Sequence, residues 1–119
     1  MGKNVLLVDD DPVIRMLVGD CLSAVGHVVD QASGGNECLE KLTLSTPQVI
    51  ILDLIMPDLN GLDVLQSIKS DVIKRSIPVI LLSADPDIQL TASRRNLNAD
   101  LYLQKPFDIQ TIIDAVNRL

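Results

Sequence analysis

The chain has almost no aromatic residues: one tyrosine, one phenylalanine and no tryptophan among 119 residues. Hydrophobic residues still make up 47% of the sequence, so its core has to be built from aliphatic side chains. Short runs of valine, isoleucine and leucine are typical of buried parallel strands. The composition therefore favours an α/β fold, and the length is that of one domain with a sizeable core.

Basic side chains are also in short supply. Ten lysine and arginine residues stand against sixteen aspartate and glutamate residues, which gives a net charge of -6. This sign is wrong for neutralising nucleic-acid phosphates, so we expect no direct nucleic-acid binding. The apolar runs are far shorter than a membrane span, and no charged segment precedes a signal-like stretch. We therefore expect a cytoplasmic protein that makes no membrane contact.

Cysteine and histidine are rare as well. Cys21 and Cys38 are the two cysteines, and no CxxC or histidine-rich spacing surrounds them. We interpret both as reduced core residues, which argues against a disulfide framework or a zinc site. His27 is the single histidine and follows a glycine in a predicted turn, so we expect an ordinary surface residue.

Strand and helix patterns alternate along the whole chain. The predicted strands are 5–8, 28–31, 49–52, 79–82 and 101–103, and the predicted helices are 12–25, 36–44, 62–74, 86–96 and 108–119. This alternation predicts parallel strands joined by right-handed crossovers, with helices on both faces of the sheet. No linker or change in composition divides the sequence, so we predict one domain over residues 1–119.

Polar residues whose side chains could bind a metal or take part in a reaction follow the predicted strands. Asp9 and Asp10 come after the first strand, Asp53 after the third, Ser83 after the fourth and Lys105 after the fifth. The carboxyl ends of parallel strands meet at one edge, where open α/β sheets place their functional crevice. Converging carboxylates repel by roughly 4 kcal/mol per close pair at an effective dielectric near 20, and Mg²⁺ is a suitable counterion. A carboxylate nucleophile, a metal, a cation and a hydroxyl donor together suit phosphoryl transfer.

Each of these residues also has a plainer interpretation. Asp11 precedes Pro12 and is best explained as a helix N-cap. Asp9 and Asp10 could be ordinary strand-end acids, Ser83 could bond local backbone, and Lys105 could be a surface lysine. Their coincidence at one edge of the predicted sheet favours the chemical interpretation.

Four segments occur in the order and spacing of a known set of motifs: VLLVDDDP at 5–12, IILDLIMPDLNG at 50–61, VILLSA at 79–84 and YLQKPF at 102–107. Over essentially its whole length the chain resembles the response regulator receiver domains (CheY-like) of two-component signal transduction. The resemblance implies a flavodoxin-like, three-layer α/β/α fold with five helices and a five-stranded parallel sheet in the order 2-1-3-4-5.

The resemblance also implies roles for individual residues. Asp53 would accept a phosphoryl group from a histidine kinase or a histidine phosphotransfer protein. Asp10, Asp53 and the backbone carbonyl of Ile55 would bind Mg²⁺ directly, and Asp9 would help through water. Lys105 and Ser83 would contact the phosphoryl oxygens. Such a domain is not an enzyme beyond its own phosphorylation and dephosphorylation, and it acts on a downstream protein target or an attached output domain.

Finer expectations follow from the same resemblance. The Lys105–Pro106 bond would be cis, and phosphorylation would draw Ser83 toward the phosphoryl group while Tyr102 turns inward. Ile55 is apolar where many relatives carry a polar or longer side chain. We hypothesise that Ile55 shields the acyl phosphate from water and slows its hydrolysis.

Two apolar residues lie off the main stripe of the first predicted helix and near the acidic edge: Val13 and Met16. We predict that they form an exposed docking patch for the helices of the phosphodonor.

Two other functions stay open at this point. An aspartate-nucleophile, magnesium-dependent phosphatase would also use a strand-end aspartate, but such enzymes favour Asp-x-Asp, and Ile55 stands two positions after Asp53. A receiver-like interaction module that is never phosphorylated is the second alternative. It is hard to reconcile with the complete set of site residues.

Overall fold

The computed structural model describes residues 2–119. Five strands alternate with five helices along these residues. The strands are β1 (Asn4–Val8), β2 (Val28–Ala32), β3 (Val49–Asp53), β4 (Val79–Ser83) and β5 (Leu101–Gln104). The helices are α1 (Pro12–Ala24), α2 (Gly35–Leu42), α3 (Gly61–Ser70), α4 (Ile88–Arg94) and α5 (Ile109–Arg118).

All the strands pair in parallel, in the order β2-β1-β3-β4-β5. This confirms the predicted order and the flavodoxin-like class. Every residue of β3 and of β4 is buried, whereas β2 and β5 are partly exposed at the edges of the sheet. The continuously apolar strands are thus the central ones. Both of their faces are covered by helices, so both faces carry apolar side chains.

Successive residues of a strand point to opposite faces, so the sheet separates two core layers. On one side the core packs against α2, α3 and α4, with Cys38, Leu65 and Ala92 among its members. On the other side it packs against α1 and α5, with Leu22 and Ile112 among its members. The result is the predicted three-layer α/β/α arrangement.

All five helices are somewhat shorter than predicted, and the difference is largest for the third and the fourth. The third was predicted to run to residue 74, but α3 ends at Ser70 because Asp71 has extended backbone angles and its carboxylate accepts bonds from the amides of Ile73 and Lys74. The fourth was predicted over residues 86–96, but α4 spans only Ile88–Arg94, and the Asp87 side chain makes no capping bond.

The prediction of a surface histidine is wrong. His27 is buried, its Nδ1 accepts a bond from the backbone amide of Lys3 at 3.0 Å, and its Nε2 lies 2.9 Å from Asn117 Oδ1. The ring therefore joins the chain before β1 to the last turn of α5. The Lys3 ammonium reinforces this link by donating to the Val116 carbonyl at 2.7 Å.

Both cysteines are free, as predicted. Cys38 is fully buried, and burial raises the pKa of its thiol to about 12, so it is an inert core residue. Cys21 is only partly buried and belongs to neither core layer, so the prediction of a core residue is confirmed for Cys38 and wrong for Cys21. Within residues 2–119, no helix has the length and apolar character that crossing a bilayer requires.

Candidate functional site

The carboxyl end of β1 delivers three consecutive aspartates to one edge of the sheet. Asp9 is fully buried, and its Oδ1 accepts a bond from the Asp11 amide at 2.9 Å. Asp10 is exposed. Asp11 caps α1 by accepting a bond from the Val13 amide at 2.9 Å, which confirms its predicted capping role.

Asp53 is the last residue of β3 and is 4% exposed. Lys105, which follows β5, places its Nζ 2.9 Å from Asp53 Oδ1 and 3.5 Å from Asp9 Oδ2. Burial raises the pKa of Asp53, and the charges of Asp9 and Asp10 act in the same direction, whereas the bond from Lys105 opposes the rise. Burial alone would lower the pKa of Lys105, but the bond and charge of Asp53, together with Asp9, outweigh it and raise that pKa.

Ser83 is the last residue of β4 and is buried. Its backbone carbonyl accepts a bond from the Lys105 amide at 2.8 Å, which holds the end of β5 beside the end of β4. Its hydroxyl oxygen accepts a bond from the Asp85 amide at 2.9 Å. Since that bond uses a lone pair, the hydroxyl proton can still be donated to another group. The Lys105–Pro106 peptide bond is cis, as the resemblance implied.

The carboxylates predicted as metal ligands converge. One oxygen each from Asp9, Asp10 and Asp53 lies within 4.8 Å of the others. Asp9 Oδ2 is shielded from solvent and has no hydrogen-bond partner among the described residues, a costly arrangement for a carboxylate oxygen. A hard divalent cation such as Mg²⁺ takes oxygen ligands from one or two carboxylates, so the residues present fit such an ion.

Two further residues from the predicted set lie near this edge. The side chain of Ile55 is 72% exposed, in the loop between β3 and α3. Tyr102 is half-buried against the core, and its hydroxyl accepts a bond from the Ala99 amide at 2.9 Å and donates to Asn98 Oδ1 at 3.2 Å. In this structure the ring is therefore held by the loop before β5.

Sequence reasoning missed Asp58. Its carboxylate crosses from the loop after β3 to the start of α2, where it accepts bonds from the Gly35 amide at 3.0 Å and the Asn36 amide at 2.8 Å. The helix has no capping side chain of its own, since its N-cap residue is Gly34. A helix that begins at two glycines is a weak sequence signal for a cap supplied from elsewhere in the chain.

Comparison with known proteins places the chain in a family. Residues 5–117 match the family described as response regulator receiver domain. The chain is 32% identical over 118 residues to sporulation initiation phosphotransferase F of Bacillus subtilis, with 99% of this chain and 94% of that protein covered.

Other matches differ in how much of the relative they span. The chain is 37% identical over 112 residues to the DNA-binding transcriptional regulator NtrC of Klebsiella pneumoniae, which covers 94% of this chain but 24% of that protein. The solved structure of the chemotaxis response regulator CheY4 of Vibrio cholerae superimposes with a TM-score of 0.90 at 27% identity, over 99% of this chain and 98% of that one. The chain belongs to the response regulator receiver domain family of two-component signalling.

Proposed function

We propose that residues 1–119 form a cytoplasmic receiver domain in a phosphorelay, in which Asp53 accepts a phosphoryl group from a histidine kinase or a histidine phosphotransfer protein. The observation that carries the proposal is the position of the Lys105 ammonium, 2.9 Å from Asp53 Oδ1, beside the converging carboxylates of Asp9 and Asp10. A paired cation and carboxylate at the rim of a parallel sheet are suited to accepting a phosphoryl group.

The transfer step uses the ionised side chain of Asp53. A carboxylate oxygen attacks the phosphorus of a phosphohistidine, a P–O bond forms and the P–N bond breaks. The electron pair of that bond returns to the imidazole nitrogen, and the donor ring, protonated on its other nitrogen, is released as neutral histidine. Lys105 and the Ser83 hydroxyl proton then contact the phosphoryl oxygens and stabilise their charge.

Mg²⁺ belongs to the same proposal. Asp10, Asp53 and the backbone carbonyl of Ile55 would hold the ion directly, and Asp9 would act through water. When bound, the ion supplies positive charge that neutralises the phosphoryl oxygens during transfer. Beyond its own phosphorylation and dephosphorylation, we assign the domain no enzymatic activity.

Signalling output would come from the β4–α4 loop and from Tyr102. A shift of Ser83 toward the phosphoryl group would disturb the bond from the Asp85 amide to its hydroxyl and reorganise the entry to α4. Inward rotation of Tyr102 would break its bonds to Ala99 and Asn98. The recipient would be a downstream protein target or an attached output domain, and we propose no direct nucleic-acid or membrane contact for this segment.

The phosphodonor is proposed to dock on Val13 and Met16 of α1, which are 61% and 59% exposed. Val13→Glu combined with Met16→Glu should slow transfer from the partner's phosphohistidine but leave labelling by acetyl phosphate unchanged. Val72→Glu with Ile73→Glu is the matched control, because these apolar residues are also exposed but lie in the loop after α3. Normal transfer to the α1 double variant would refute the docking patch.

The central test is mass spectrometry after incubation with acetyl phosphate and Mg²⁺. We expect the wild type to gain the mass of one phosphoryl group, Asp53→Ala to gain none, and Asp20→Ala, which changes an exposed acid of α1, to behave as the wild type. No labelling of the wild type would favour the interaction module that is never phosphorylated. Rapid turnover of a phosphoester substrate would instead favour the phosphatase.

A further inference from the structure

The loop that carries Ile55 is bonded to the sheet at its first residue, and its two ends are bonded to each other. The Leu54 amide donates to the Leu82 carbonyl at 3.0 Å, and the Gly61 amide donates to the Leu54 carbonyl at 2.6 Å. Met56 is buried and anchors the loop to the core by its side chain. Beyond Met56, Asp58 supplies a polar connection from the loop to another element.

That connection uses both oxygens of the Asp58 carboxylate. Oδ1 accepts bonds from the Gly35 amide at 3.0 Å and from the Leu59 amide of its own loop at 2.8 Å, while Oδ2 accepts from the Asn36 amide at 2.8 Å. The negative charge lies at the N-terminal turn of α2, which favours it. The backbone amide of Asn36, with those of Gly35 and Leu59, holds the pKa of Asp58 below its usual range, so the side chain is a charged acceptor at neutral pH.

The glycines at the start of α2 make room for this contact. A Cβ at Gly34 would lie 2.8 Å from Asp58 Oδ1, and a Cβ at Gly35 would lie 2.6 Å from the Cβ of Leu59. Both distances are shorter than a carbon atom tolerates, so a side chain at Gly34 would displace the Asp58 carboxylate, and a side chain at Gly35 would push the loop at Leu59 away from α2. The start of α2 and the loop after Asp53 therefore fit together as one unit.

We propose that Asp58 is a positioning residue that fixes the loop after Asp53 against α2 and thereby sets the Ile55 carbonyl for metal binding. The inference rests on the proposed function, because that carbonyl is one of the proposed Mg²⁺ ligands. Side chains that hold metal ligands in place from outside the coordination sphere commonly change metal affinity when they are removed. Mg²⁺ and the α2 contact should therefore strengthen each other.

The test is a Mg²⁺ titration of ¹⁵N-labelled protein, followed by amide chemical shifts. Asp58→Ala should raise the dissociation constant for Mg²⁺ about tenfold. Asp58→Asn should recover most of the affinity, because a single oxygen can still accept from Gly35 and Leu59. In the wild type, the amides of Gly35 and Asn36 should shift as Mg²⁺ binds, and this response should be absent in Asp58→Ala.

Asp71→Ala is the matched control. It also removes a carboxylate that accepts bonds from two backbone amides, those of Ile73 and Lys74, but it lies in the loop after α3. Urea denaturation of each variant measures the loss of stability, and the control should lose stability without losing Mg²⁺ affinity.

Several results would overturn the proposal. One is wild-type affinity in Asp58→Ala, and another is equal weakening by Asp71→Ala. Affinity as low in Asp58→Asn as in Asp58→Ala would assign the loss to charge rather than position. If Asp58→Ala does not fold, two other measurements decide. The proposal is overturned if Asp58→Asn binds Mg²⁺ with wild-type affinity and the amides of Gly35 and Asn36 in the wild type do not shift when Mg²⁺ binds. A wild type that binds no Mg²⁺ overturns the metal part of the proposed function as well, whereas the other outcomes leave that part standing.

Discussion

The acidic cluster should destabilise the metal-free protein, and Asp10→Asn tests this. One oxygen each from Asp9, Asp10 and Asp53 lies within 4.8 Å of the others. At that separation and an effective dielectric near 20, each pair of charges repels by about 3.5 kcal/mol. Because Asp10 is exposed and Lys105 offsets part of the repulsion, solvent screening should reduce the net gain from removing its charge to roughly 1 kcal/mol.

The assay is urea and thermal denaturation, followed by circular dichroism, with EDTA and then with MgCl₂ at matched ionic strength. With EDTA, Asp10→Asn should unfold about 4 °C higher than the wild type. Mg²⁺ at ten times its dissociation constant should stabilise the wild type by about 1.4 kcal/mol, and it should stabilise Asp10→Asn much less because a ligand is lost.

Asp20→Asn is the control for net charge, since it removes an exposed carboxylate from α1 outside the cluster. It should change stability by less than about 0.5 kcal/mol and keep the full response to Mg²⁺. The reasoning is refuted if Asp10→Asn is less stable than the wild type with EDTA, or if Mg²⁺ stabilises both proteins equally.

Three other predictions concern pH, hydrolysis and the buried histidine. Burial raises the pKa of Asp53, so the folded state binds a proton more tightly than the unfolded chain. The quantity to measure is the difference in free energy of unfolding between the wild type and Asp53→Asn, in metal-free buffer. This difference should fall as pH rises from about 4 through the raised pKa, and a constant difference would contradict the prediction. Ile55→Asn should speed loss of the phosphoryl mass from labelled protein, and an unchanged rate would remove the shielding hypothesis. His27→Ala should lower the free energy of unfolding by roughly 2 kcal/mol in urea denaturation, because it leaves the Lys3 amide and Asn117 without their partner. A loss no larger than that of an exposed-site variant would contradict a stabilising role for the two hydrogen bonds of the His27 ring.

Local pattern was sufficient to predict the strands and the group of residues at their ends. Continuous aliphatic runs identify β3 and β4 as central, and parallel pairing forces Asp53 and Ser83 to the same edge whatever the details of packing. The end of α3 was harder to predict, because the apolar residues Val72 and Ile73 extend the helical pattern. The helix ends earlier because the amides of Ile73 and Lys74 donate to the Asp71 carboxylate and not to helix carbonyls.

Contacts between distant parts of the chain could not be predicted in this way. His27 is buried because Lys3 and Asn117 supply partners for both ring nitrogens, and Asn117 is 90 residues away in sequence. Asp58 finds its partners 22 and 23 residues earlier, at the start of α2. Neither contact leaves a periodic signal. Periodicity shows which face of a helix or strand is buried, but it does not show which polar group of a distant segment lies against that face.

The same charges that make the site reactive also determine what can stabilise it. Among the described residues, Lys105 is the cation paired with the buried carboxylates of Asp9 and Asp53, and Asp9 Oδ2 still lacks a hydrogen-bond partner there. A second positive charge at this edge would relieve that deficit. A phosphoryl group on Asp53 would increase the negative charge again and so strengthen the demand for both the metal ion and Lys105. The folded state and the phosphorylated state should therefore depend on the same counterions, and loss of either counterion should weaken both.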